Sequence, residues 1–387
     1  MAMSIQLWTY EGDLEMLQSF GVEKKEKGGT IDSLTGRAAR AGGRRGLLKS
    51  ATKERGDEMK RLVFMLFLIG SIFVAGICEA ETIPEAVLKA IVSIRATIPK
   101  EASTAATLGT ERQGHGVLIG EGGLIVTIGY LIVESEKIEV LGPEGKTIEA
   151  SFVGYDHETG FGLLRASRPI SAEPMKLGEA SKVKEGDSVI VAIYGGSDAL
   201  VDARVLSRKE FAGYWEYLLE SPIITAPAIA NFGGAALLSK EGKLLGIGSL
   251  FTSFSIQGLG ALPANLFVPI DLLGPILADL IEKGRPSKPA RPWLGIHVEE
   301  SRGRVFITRV TEGGPAEKAG LWVDDLILMV NGKEVAGIAD LYRKIWASGN
   351  AGVEVTLDVL RGTKIQRVTI RSGDRLDFLM LRPKKMI

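Results

Sequence analysis

Cysteine is almost missing from this 387-residue chain: the single Cys78 lies in an apolar run, so neither a disulfide framework nor a thiolate zinc site is available. Histidine is nearly as scarce. His115, His157 and His297 stand too far apart to mark a metal cluster, and no pattern for a metal or other cofactor accompanies them. Charge of one sign is not in excess either. The 47 Lys and Arg balance the 47 Asp and Glu, which removes the overall field that would draw in nucleic acid or anionic lipid. With 45% apolar and 24% charged residues, both wholesale disorder and a multi-span membrane protein are excluded. Glycine is what the chain has in plenty. The 48 glycines make up about 12% of it, against roughly 7% in ordinary proteins, and imply many tight turns between short strands. A mainly β body of two to three domains follows, at roughly 100 to 200 residues each.

Residues 59–80 have the layout of a signal peptide. Met59-Lys60-Arg61 precedes apolar or small residues from Leu62 to Ile77, a run shorter than the roughly 20 residues that span a bilayer, and Cys78-Glu79-Ala80 offers a small-residue cleavage site. Export to a periplasm is expected. An uncleaved segment would instead be an inner-membrane anchor with the same orientation, because Lys53, Arg55, Lys60 and Arg61 precede the run while Glu79, Glu81 and Glu85 follow it. Ile77, where a lipoprotein site needs a small residue, argues against lipidation of Cys78. Residues 1–58 are polar, glycine-rich and aperiodic; they are expected to be an upstream extension that is not normally made, or else a disordered leader.

From residue 81 to 285 short strand candidates recur between turn signals. They include Gly116–Ile119, Leu124–Thr127, Ile138–Leu141, Ser188–Ile193 and Leu244–Gly248, with Gly142-Pro143-Glu144-Gly145 as one of the turns. Such punctuation predicts one or two β-barrels. A helix is predicted over 270–281 from apolar residues at helical spacing, stopped by Gly284.

Several of these segments carry a resemblance. Gly114-His115-Gly116-Val117-Leu118-Ile119, Gly123 to Tyr130, Val153 to Leu164, Asn231-Phe232-Gly233-Gly234-Ala235 and Phe267 to Leu272 resemble, in order, the motifs of the HtrA (high-temperature-requirement) serine proteases. The resemblance implies a trypsin-like fold of two β-barrels with a cleft between them. It fails at the positions that carry chemistry. The family's histidine base falls on Tyr130, its orienting aspartate on Gly160 and its nucleophilic serine on Phe232. Acyl transfer by that mechanism needs a hydroxyl nucleophile, a base titrating near neutrality and an acid that fixes the base's tautomer. None of the three is present. Ala230 also replaces a glycine of the oxyanion-hole turn. A rebuilt site would have to recruit His115 or His157 as base and Ser221 or Thr225 as nucleophile, and none of these holds a family role.

After the proline-rich linker 286–292, a second module spans 293–376, with a basic tail at 377–387. Trp293-Leu294-Gly295-Ile296, Gly313 to Leu321, Asp325 to Leu328 and Val330 to Val335 resemble a PDZ domain of the kind appended to HtrA proteases. Local chemistry agrees, since Pro315 and Gly320 bracket a short helix, Asn331-Gly332 between apolar segments is a hairpin signal, and Leu341, Tyr342, Ile345 and Trp346 share a helix face. The resemblance implies that the backbone NH groups of Trp293, Leu294, Gly295 and Ile296 receive a peptide's terminal carboxylate, with Leu294, Ile296, Leu341 and Ile345 lining the pocket for its last side chain. Asp324, where the family has glycine, is expected to affect a turn and not the groove.

The fold expected is therefore a trypsin-like double β-barrel followed by a PDZ domain. The function expected is a non-catalytic HtrA-like protein that binds protein or peptide C-termini in envelope protein quality control. The alternatives are an endopeptidase with a rebuilt site and a holdase chaperone. Further partners are copies of itself or an active HtrA protease, and no nucleic acid.

Overall fold

The computed structural model describes residues 83–256 and 260–381; the leader expected at 1–58, the signal expected at 59–80 and Cys78 lie outside the described residues. After a one-turn helix α1 (Glu85–Leu88) set by Pro84, six antiparallel strands close a barrel. They are β1 (Ile91–Thr97), β2 (Glu111–Gly120), β3 (Leu124–Ile128), β4 (Lys137–Leu141), β5 (Thr147–Tyr155) and β6 (Phe161–Ala166), in the order β1-β2-β3-β6-β5-β4, with the short α2 (Ala105–Leu108) between the first two. Every residue of β3 is buried. One face lines its own barrel and the other meets the second barrel, so an apolar run and not an alternation is what this strand requires.

The second barrel closes in the order β11-β14-β13-β12-β7-β8 from β7 (Ser188–Ala192), β8 (Leu200–Ser207), β11 (Ile223–Ala226), β12 (Ala236–Leu238), β13 (Leu244–Ile256) and β14 (Gly260–Pro269). Between β8 and β11 the chain makes a separate hairpin of β9 (Phe211–Gly213) and β10 (Tyr217–Leu219), paired Gly213 to Tyr217 around a three-residue loop. The helix predicted over 270–281 is instead a 3-10 turn at Ile270–Leu272 followed by α3 (Gly274–Lys283), because Pro275 starts the second segment afresh. Gly284 ends it in the left-handed region, as expected, and its carbonyl accepts from the Tyr155 N–H at 3.0 Å, seating α3 on the first barrel.

The third unit is a six-stranded antiparallel sheet of β15 (Ile296–Ser301), β16 (Arg304–Val310), β17 (Leu326–Val330), β18 (Lys333–Glu334), β19 (Glu354–Arg361) and β20 (Lys364–Arg371), ordered β15-β16-β17-β19-β20 with β18 pairing β17. Two helices, α4 (Pro315–Lys318) and α5 (Ile338–Trp346), complete it, and α5 buries Leu341, Tyr342 and Ile345. Asn331 and Gly332 both take positive φ, as their hairpin requires. Asp324 also sits at positive φ, in a turn before β17, which is where a glycine would be at ease.

The linker and the C-terminal segment are both tied down. Lys288 and Arg291 pair with Glu158 at 2.7 and 2.9 Å, Arg285 pairs with Asp374, and Trp293 bridges Gly373. Residues 377–381, expected as the start of a basic tail, fold back onto the first barrel. Phe378 packs edge-on against Trp293 at 4.5 Å and receives a hydrogen bond from Ser103 Oγ at 2.8 Å, while the Met380 N–H donates to Glu134 at 3.0 Å. Among the described residues no helix is long and apolar enough to cross a membrane.

Candidate functional site

The fold brings the three expected catalytic positions together. Tyr130 lies in the 3-10 turn that follows β3, and the N–H of Gly129 before it donates to the Gly160 carbonyl at 2.7 Å. A β-carbon placed on Gly233 would stand 2.8 Å from the Tyr130 hydroxyl, so this ring reaches the turn that carries Phe232. That turn is held to the first barrel by the His115 N–H, which donates to the Gly233 carbonyl at 2.8 Å. Phe232 itself faces Phe251, with ring centres 6.3 Å apart.

None of these side chains offers transfer chemistry. Phe232 has no nucleophilic atom. Burial pushes the Tyr130 hydroxyl further above its ordinary value of 10, so it stays protonated and cannot accept a proton at neutral pH. Gly160 has φ +85°, and a β-carbon there would meet Ile128 Cδ1 at 3.2 Å and the Tyr217 hydroxyl at 3.4 Å. The Tyr217 hydroxyl donates to the Thr159 carbonyl at 2.8 Å, beside this position.

The residues weighed for a rebuilt site make contacts of their own. His115 is buried and held neutral, its pKa lowered to about 4 by burial; its Nδ1 accepts from the Tyr194 N–H at 3.3 Å and its ring also bonds the Asn231 backbone. His157 accepts from Arg375 Nη1 at Nε2, 2.9 Å away, which leaves the proton on Nδ1 to donate to the Tyr155 hydroxyl at 3.2 Å. Burial first, and the neighbouring Arg375 second, push its pKa well below the usual value. Ser221 Oγ accepts from Arg208, and the buried Thr225 Oγ1 has no hydrogen-bond partner. Neither hydroxyl is bonded to a histidine.

The second candidate site is the loop at Trp293–Ile296, and it holds a carboxylate. Glu216, at the end of the β9–β10 hairpin loop, accepts from the N–H of Leu294 at 3.0 Å, of Gly295 at 2.7 Å and of Ile296 at 3.0 Å. Gly295 has φ +81° and would set a β-carbon 3.2 Å from the Trp293 ring, so glycine is needed to turn three successive amides to one point. The backbone alongside follows suit. The Val298 N–H, on the edge of β15 away from β16, donates to the Tyr214 carbonyl at 2.8 Å. Tyr342 of α5 completes the contact, donating its hydroxyl hydrogen to the Gly213 carbonyl at 2.7 Å and accepting from the Glu216 N–H at 3.0 Å. Leu218 buries in the apolar cluster that contains Leu294, Ile296, Leu341 and Ile345, all essentially without exposure. Trp293 is turned the other way, toward Phe378.

Behind the hairpin Arg375 is enclosed, donating to the Trp215 carbonyl at 2.8 Å as well as to His157. It lines, with His157, Glu216, Arg291 and Trp346, a cavity of about 60 Å³ between the barrels and the sheet unit. Sequence reasoning missed both Glu216 and Arg375. The one available signal was a lone acid in the aromatic run Tyr214-Trp215-Glu216-Tyr217, which a surface loop does not need.

With this geometry in view, comparison with known proteins is direct. A trypsin-like peptidase domain model matches residues 114–247 and a PDZ domain model matches 292–371. A probable periplasmic serine endoprotease, DegP-like, of Pseudomonas putida (strain W619) is 26% identical over 276 residues, covering 67% of this chain and 55% of that protein. A probable periplasmic serine protease, do/HhoA-like, of Haemophilus influenzae is 28% identical over 271 residues, covering 67% and 57%. The chain thus spans little more than half the length of these curated relatives. Among solved structures, the HtrA-type protease AlgW with tripeptide aligns at a TM-score of 0.45 and 21% identity over 78% of this chain and 98% of that one. A serine endoprotease from Yersinia pestis aligns at 0.44 and 22% over 75% and 97%.

Proposed function

From a chain that belongs to the HtrA family, with a trypsin-like peptidase domain followed by a PDZ domain, we propose a binding protein that has given up proteolysis. It recognises protein or peptide C-termini through the PDZ carboxylate loop and acts in envelope protein quality control, alone, with copies of itself or with an active HtrA protease. One contrast carries the reading. The peptidase cleft has Phe232, Tyr130 and Gly160 where nucleophile, base and acid are needed, whereas Leu294, Gly295 and Ile296 retain three amides aimed at one carboxylate. Binding to a terminal carboxylate and an apolar last residue is what such a loop and pocket can do. The signal-like layout of residues 59–80, and the periplasmic relatives, support export across the inner membrane.

The test of the chemical half is covalent labelling. The mature protein should not react with a fluorophosphonate probe and should leave casein intact. Labelling of a serine together with casein turnover that persists in Phe232→Ala would establish a rebuilt site and overturn the reading.

A further inference from the structure

We propose that Glu216 is a built-in competitor that caps the PDZ carboxylate loop, so that a peptide C-terminus binds only by expelling the β9–β10 hairpin of the neighbouring barrel. The inference rests on the peptide-binding reading above and adds its regulation.

Four observations converge on it. The carboxylate of Glu216 takes all three amides of Leu294, Gly295 and Ile296, which leaves none for an incoming terminus. Two residues back, the Tyr214 carbonyl takes the Val298 N–H, the backbone donor that an added peptide strand would use on the free edge of β15. Leu218 fills the adjoining apolar pocket in place of a last side chain. The hairpin therefore imitates a bound peptide in carboxylate, strand contact and apolar anchor at once.

The fourth observation is a local cost. In a three-residue hairpin loop the last position takes the left-handed conformation and ordinarily belongs to glycine or asparagine. Here that residue is Glu216, with φ +57°. Its hydrogen-bonded carboxylate is the feature that offsets an unfavourable choice for the turn alone.

The hairpin is covalently tethered, so it competes at the high effective concentration of an intramolecular ligand, and a free peptide sees only the uncapped fraction of grooves. The cap also couples the two modules. Glu210 beside β9 pairs with Arg343 of α5, and Arg375 holds Trp215 to His157, so expelling Glu216 frees a segment whose Tyr217 packs against the former catalytic position Gly160.

The experiment titrates the full chain and two variants, Glu216→Ala and Tyr342→Phe, with a fluorescent decapeptide ending in valine with a free carboxylate. Both variants should bind at least tenfold tighter than the unaltered chain, and the fluorescence of Trp215 should change on peptide addition to the unaltered chain as the hairpin leaves. Tyr342→Phe keeps the ring and loses only the hydroxyl's bonds to Gly213 and Glu216, so it serves where Glu216→Ala fails to fold. Equal affinity of all three proteins would overturn the cap and leave the peptide-binding reading standing. Absence of binding in every folded variant would overturn the peptide-binding reading, and the cap with it.

Discussion

Tyr217 borders the place of a side chain on Gly160: its hydroxyl lies 3.4 Å from where a β-carbon on that glycine would stand, and the glycine itself holds φ +85°. Restoring the family's residues one for one, with Tyr130→His, Gly160→Asp and Phe232→Ser together, should therefore not restore proteolysis. An aspartate at Gly160 would have to adopt φ near +85° and displace the Tyr217–Thr159 hydrogen bond. Without an oriented acid, and with Ala230 in place of a glycine in the oxyanion-hole turn, the triad should lose about a hundredfold or more. Casein turnover by the triple variant is the measurement, and robust cleavage would show the cleft still competent.

Glu134 ties the C-terminal segment to the first barrel and should be costly to remove. It is buried and accepts from the N–H groups of Ser103, Thr104 and Met380 and from Thr104 Oγ1, next to the buried Arg112. Burial alone would raise its pKa, but the hydrogen bonds led by Met380 and Thr104 outweigh it and hold the carboxyl below the ordinary value of 4.5. Its contribution is present above that pH and lost as pH falls through the lower folded value. Glu134→Ala should cost roughly 3 kcal/mol by leaving three amides unsatisfied and the buried Arg112 charge without its nearby carboxylate, read as a fall in the urea midpoint. A change below about 0.5 kcal/mol would put the contact among those that contribute nothing measurable.

Acid should destabilise the folded protein before its carboxylates titrate. Burial first lowers the pKa of His115 to about 4 and of His297 to about 3, and pushes His157 well below 6.5. The unfolded chain binds protons near 6.5 that the folded chain refuses, so stability is complete above that value and falls as pH drops toward about 4. A fully buried histidine contributes about 1.4 kcal/mol per pH unit in that window, and the partly exposed His297 contributes less. Glu216 opposes the trend, since burial raises its pKa. Urea unfolding at pH 6.5, 5.5 and 4.5 should show the slope, and His115→Gln should flatten it. A slope unaffected by that change would contradict the assignment.

Much of this molecule is legible in its residues, for local reasons. Asn331-Gly332 and Gly284 name their conformations because few other residues adopt them at low cost, and the apolar spacing of Leu341, Tyr342 and Ile345 fixes the buried face of α5. The break before α3 was less visible, since Ile270 to Ile281 keeps its helical spacing across Pro275. The cleft could be located from the motifs around Tyr130, Gly160 and Phe232, but not what surrounds these positions. Tyr217 reaches Gly160 from a hairpin 57 positions on in the chain, and no local pattern records such a pairing. Glu216 is hidden for the same reason, because its partners at 294–296 are set by how one module docks on another. That docking also changes the meaning of a pocket residue. Leu341 is wholly buried, so Leu341→Glu would cost stability as well as affinity.

Calorimetric titration of the full chain with one peptide in two forms, ending in valine as the free acid or as the amide, tests the binding claim most directly. The acid form should bind and the amide should lose at least tenfold in affinity, because in the proposed mode the Leu294, Gly295 and Ile296 amides, which here bond the Glu216 carboxylate, receive the terminal carboxylate. A tenfold loss is about 1.4 kcal/mol, well within what calorimetry resolves. Equal affinity for acid and amide would contradict recognition through the carboxylate loop.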